Sequence, residues 1–117
     1  MAKITMEMIQ QAYETAKHVH AGSLGRSAGY REIVRVTGMR DGMAQVFVTD
    51  FLSMMEGKCY HYCMSQAATE YFLEQIGQDY GRERQRTAAR AVLEHVAYYQ
   101  TVRCCLPGIE RIARRYL

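Results

Sequence analysis

The 117-residue chain has no tryptophan and a single proline, Pro107. Nothing before that proline removes a backbone donor or clashes with the preceding helical turn, so long helices are permitted. No apolar run approaches the ~20 residues that a membrane-spanning helix requires. A secretory leader is also missing from the reading, because Met1-Ala-Lys-Ile leads straight into a mixed polar helix. The four cysteines, Cys59, Cys63, Cys104 and Cys105, are therefore expected as free thiols in a reducing, cytoplasmic setting. Zinc-protease and H-N-H motifs, phosphate loops and usefully spaced carboxylate pairs are all absent. Nothing marks an enzyme, and no cofactor is expected. One catalytic arrangement stays open: a Cys–His pair that meets only in space, such as His61 beside Cys59 or Cys63.

Hydrophobic residues make up 49% of the chain, enough for the core of one domain over residues 1–117. Eight methionines and nine tyrosines stand out among them. Methionine fills irregular helical cores and adaptable surfaces. Tyrosine suits a core edge with its hydroxyl in water. Six amphipathic segments can be read, and no convincing strand. Thr5 caps the first, with Ile9, Ala12, Tyr13, Ala16 and His20 following at helical spacing. The second covers about 27–37, with Tyr30, Ile33 and Val34 inward and Gly38 ending it. Asp41 is expected to cap the third, whose row is Ala44, Phe47, Val48, Phe51, Leu52 and Met55. Residues 58–64 read as a loop with an extended piece. Ser65 caps the fourth, with Ala68, Tyr71, Phe72 and Ile76 inward. The fifth runs over about 82–103, with Ala88, Ala91, Val92, His95, Val96 and Tyr99 inward. Pro107 opens the last, with Ile109, Ile112, Ala113 and Tyr116 inward. The expected fold is all-α, a compact orthogonal bundle of about six helices.

Residues 30–51 have the lengths of a helix-turn-helix, with Gly38 in the turn and Met39 plugging the core. Arg40, Met43, Gln45, Val46 and Thr49 would then face bases, and Asp50 shares that face. Cys59, His61 and Cys63 form a C-x-H-x-C string, a weak zinc candidate. Three residues separate its thiols, and Cys104-Cys105 could approach in space to complete the four ligands zinc takes.

Charge is unevenly spread. Residues 82–117 hold eight arginines against three Glu, or +5, and residues 1–81 hold seven Lys/Arg against nine Asp/Glu, or −2. Arg82, Arg86 and Arg90 are four apart and share a helix face. With Arg111, Arg114 and Arg115, and with Arg40 and Lys58 nearer the front, they are the candidate nucleic-acid contacts, because the planar guanidinium forks onto phosphate. A rival surface for a protein partner is the Met/Tyr set Met43, Met54, Tyr60 and Tyr62. A symmetric homodimer is the expected assembly in either case.

Three strings carry a resemblance. The first is Gly38-Met39, Ala44, Phe51, Met54-Met55 and Gly57-Lys58-x-Tyr60. The second is Met64-Ser65, Ala68, Tyr71-Phe72-Leu73, Ile76 and Asp79-Tyr80-Gly81. The third is Ala91, Leu93, His95 and Tyr98-Tyr99. Together they resemble a small helical domain found beside HNH-type nuclease domains in bacterial restriction-like proteins. The resemblance implies DNA targeting in restriction, defence or counter-defence. The reading is thus a non-catalytic helical module that binds nucleic acid, with DNA the expected partner and a protein–protein adaptor or inhibitor of phage or plasmid type as the alternative.

Overall fold

Helices carry most of residues 4–117, which this computed structural model describes. The start at residues 1–3, read above as leading straight into a helix, lies outside them. The order is α1 (Met6–His20), α2 (Arg26–Thr37), α3 (Asp41–Glu56), α4 (Gln66–Tyr80), α5 (Arg82–Val102) and α6 (Pro107–Arg114), and no strand occurs among the described residues. The all-α reading holds. The chain divides into two units, residues 1–52 and 53–117, with α3 running across the division.

In the first unit the Thr5 hydroxyl accepts the Met8 N–H at 3.2 Å and starts α1 as expected. Ile9, Ala12, Tyr13 and Ala16 are buried, and α2 packs along α1 with Ile33 inward. Tyr13 meets Phe51 edge-on, 5.4 Å between ring centroids, the arrangement that aromatic quadrupoles favour. Gly38 ends α2 at φ 78° and donates to the Val34 carbonyl. That left-handed conformation is nearly free for glycine and costly for a residue with a Cβ. Met39 is buried beside it, as are Ala44 and Phe47.

Two readings of α3 need correction. Asp41 is its first helical residue and accepts the Gln45 amide at 2.6 Å, so it does not serve as the cap. Asp50, expected among base-facing residues, is 1% exposed. Ala44, Phe47, Val48, Asp50, Phe51, Met54 and Met55 are all buried, so the helix hides about half its circumference. Met43, Val46 and Thr49 are only half-exposed. A recognition helix needs a presented face, and α3 offers a narrow one.

The second unit is a three-helix cluster in which α4, α5 and α6 each touch the other two. The Ser65 hydroxyl caps α4 through the Ala68 N–H at 3.1 Å, and Pro107 opens α6. Phe72 and Ile76 of α4, Val92 and Val96 of α5, and Ile109 and Ile112 of α6 are buried. Gly77 lets α4 approach α5 closely: a Cβ there would collide with the Gln85 side chain, whose amide reaches the Leu73 carbonyl at 3.1 Å. Arg82, at the start of α5, donates to the Tyr116 carbonyl at 2.7 Å. The chain end beyond α6 therefore returns to the beginning of α5, and the two helices run antiparallel.

The buried Asp50 carboxyl has no partner for Oδ2, and burial pushes its pKa up from 3.8 to about 8. The folded state then holds a proton that the unfolded chain releases from about pH 4. Stability contributed by the neutral acid is complete below pH 3.8 and is lost as pH rises towards about 8. Asp50→Asn should remove that loss. Its gain over wild type in urea melts should grow by up to about 1.4 kcal/mol per pH unit from pH 4 and level off above about pH 8. A gain that stays constant with pH would contradict the buried neutral acid.

Candidate functional site

The segment between Gly57 and Ser65 lies along α5 as a strap. Gly57 sits against Thr87, the Cys59 thiol reaches the Glu94 carbonyl at 3.6 Å, and His61 stacks on Tyr98. From Gly57 to His61 an extended chain advances at most about 14 Å. From Thr87 to Tyr98 the helix rises about 16 Å. The two keep pace only if the strap is nearly fully extended and parallel to α5.

His95 pins it. Its Nδ1 lies 2.5 Å from the Tyr60 carbonyl, and a carbonyl only accepts, so Nδ1 carries the proton and donates. The ring stacks on Tyr60, with centroids 4.2 Å apart and planes 13° apart, and Tyr99 tilts against it at 5.2 Å. His95 is 1% exposed and its Nε2 has no partner. Burial lowers its pKa below 6.5; the Tyr60 bond opposes this and His61 adds to it. One residue along the strap and three along the helix, His61 lies over Tyr98 at 4.1 Å with planes 21° apart.

The three zinc candidates do not converge. Cys59 points to backbone carbonyls of Tyr60 and Glu94, Cys63 to that of Met64, and His61 to the Tyr98 ring. No group of three metal-binding side chains forms among the described residues. Burial and the neighbouring Glu94 raise the Cys59 pKa, which opposes a reactive thiolate. Of the partner-surface residues, Met54 and Tyr60 are corrected: both are buried, Met54 in the α3 core row and Tyr60 on His95. Met43 is half-exposed, and Tyr62 is 70% exposed.

The arginines sort by what holds them. Arg115 pairs with Glu70 at 2.7 Å and Arg114 with Glu110 at 3.0 Å. Arg82 is engaged by Gln85 and the Tyr116 carbonyl, and Arg84 by the Met55 carbonyl. Arg86, Arg90 and Arg111 are exposed, and no carboxylate partner is recorded for them among the described residues. Lys58 pairs with Glu56 at 2.9 Å, and Arg40 is exposed in the first unit. Two shallow depressions, of about 330 and 160 Å³, share Leu93 and Ala97. Arg90 and Glu94 edge one, and Arg114 and Glu110 the other. Each depression thus carries one arginine and one glutamate at its edge, and the arginine on the α6 side is paired.

A cleft of about 730 Å³ lies between α1 and α2, lined by Glu14, His18, Arg31, Glu32 and Arg35 among others. Its charges largely cancel, since Arg35 holds Glu32 at 2.6 Å and Lys17 holds Glu14 at 3.2 Å. Comparison with protein-family models, with curated proteins and with solved structures gave no match.

The His95 site has its own pH signature. A histidine whose folded pKa is depressed resists the proton that the unfolded chain takes up below about pH 6.5. Stability from this group is present above pH 6.5 and is lost as pH falls towards the folded value. His95→Gln keeps a donor for Tyr60 without a titrating ring. The difference in unfolding free energy between the two proteins, followed from pH 7.5 to 5, should favour the variant increasingly, by at most about 1.4 kcal/mol per unit. Parallel curves would show that His95 does not titrate differently on folding.

Proposed function

We propose that the chain is a non-catalytic nucleic-acid-binding module that works through the basic face of α5 and α6. The setting is restriction, defence or counter-defence, as the sequence resemblance implies. The observation that carries the reading is that Arg86, Arg90 and Arg111 are exposed and have no carboxylate partner among the described residues, with Arg90 at the edge of the depression beside Leu93 and Ala97. Guanidinium groups held in water without a carboxylate are free to fork onto phosphate. The mild total charge of +3 makes placement, and not bulk attraction, the source of affinity. α3 contributes little to this reading, because Met43, Val46 and Thr49 are half-buried and only Arg40 and Gln45 of the base-facing set are exposed. The adaptor alternative loses two of its four anchors, because Met54 and Tyr60 are in the core.

The reading distinguishes arginines that look alike in sequence. With a labelled oligonucleotide, the double substitution of Arg86 and Arg90 by Ala should weaken binding and reduce the slope of log K against log salt by about two. Arg115→Ala, already tied to Glu70, should change affinity by less than about twofold, as expected for an exposed pair. Equal losses in both proteins, or no binding by the wild type at micromolar protein and about 50 mM salt, would contradict the proposal.

A further inference from the structure

The arginine row does not stop at Arg90. At every fourth residue α5 carries Arg82, Arg86, Arg90, Glu94, Tyr98 and Val102. Successive members drift by about 40° at 100° per residue, so the row winds round the helix, turning by about 120° between Arg86 and Tyr98. Its first half is cationic. Its last two members, Tyr98 and Val102, are aromatic and apolar, and the strap thickens that end: His61 is stacked on Tyr98, and the next residue, Tyr62, is 70% exposed. Val102 is 53% exposed at the end of the stripe. No ring contact or hydrogen bond is recorded for the Tyr62 side chain among the described residues. From Arg86 to Tyr98 the distance along the axis is about 18 Å.

We infer that this stripe binds a single-stranded nucleic acid, with phosphates on Arg86 and Arg90 and unpaired bases stacked on the His61–Tyr98 pair and on Tyr62. The inference rests on the nucleic-acid reading above and narrows it. Exposed ring faces cannot serve a duplex, whose bases are already stacked and paired. They suit an unpaired base, because every base offers a π-face and stacking tolerates any sequence. Glu94 supports the division of labour. Its carboxylate lies between the arginines and the ring pair and repels a phosphate there, so the backbone leaves the stripe at that point and a base enters it. The pairing of His61 with Tyr98 is itself fixed from below, since Tyr60 is bonded to and stacked on His95 one turn earlier.

The experiment is fluorescence anisotropy with a labelled oligothymidine and with a mixed-sequence duplex of the same length. The wild type should prefer the single strand by at least several-fold. His61→Ala should cost roughly tenfold on the single strand and little on the duplex, His61→Phe should restore it, and Glu94→Gln should tighten it. His61 is exposed, so circular dichroism melts of these variants should match wild type. A duplex bound as tightly as the single strand, with His61→Ala silent, overturns this inference and leaves the broader reading standing. Binding that is lost equally in His61→Ala and His61→Phe also overturns it, because ring stacking is then not the contact. No binding of either probe overturns both.

Discussion

The second unit depends on one hydrogen bond between residues 35 apart in sequence, from His95 Nδ1–H to the Tyr60 carbonyl. A loop of this length has many ways to lie on a helix. A buried imidazole that must find an acceptor, and a tyrosine ring that must leave water, leave it few. Once Tyr60 is seated on His95, the geometry of α5 decides what its neighbours meet. Cys59 falls on the Glu94 carbonyl and His61 on Tyr98. The orphaned Nε2 is the cost of this arrangement, since a buried acceptor without a partner is destabilising. Burial also holds the pKa of the ring below 6.5.

That constraint gives the surface its character. Both ends of the α5 stripe are polar or aromatic residues at helical spacing, which by itself is ordinary. What sets it apart is that one end is left without counter-charge while the other is widened by a second polypeptide segment. Arginines elsewhere in the unit are absorbed into the fold: Arg82 and Arg84 by carbonyls, Arg114 and Arg115 by glutamates. Exposed pairs of this kind contribute little to stability. Their effect is to neutralise Arg114 and Arg115 at the end of α6, while Arg86, Arg90 and Arg111 keep their charge.

Much of the fold was legible in the sequence because burial imposes periodicity. The rows Ala44–Phe47–Val48–Phe51 and Ala88–Ala91–Val92–His95 are buried as their spacing implies, and Thr5 and Ser65 cap as their side chains allow. Asp50 was misread because an acidic residue is ordinarily a solvent marker, and α3 is buried over too wide an arc for that rule. Met54 could have been placed correctly, as it follows Phe47 and Phe51 on the core row. Tyr60 could not, since a short extended piece within a loop does not show which of its two faces turns inward. The candidate site was legible only in part. The spacing of four that joins Arg82 to Arg90 continues to Tyr98, but its partner His61 comes from a strap whose register is set by a contact across 35 residues. Local pattern carries no information about such a contact.

The most direct test of the account is a map of which backbone amides respond to an oligonucleotide, by two-dimensional NMR titration of the labelled protein with oligothymidine at low salt. The account predicts the largest shifts at His61, Tyr62, Arg86, Arg90 and Tyr98, with the α1–α2 cleft unmoved. Shifts centred on α3 or on the cleft around His18 and Arg31, with the α5 stripe silent, would contradict it.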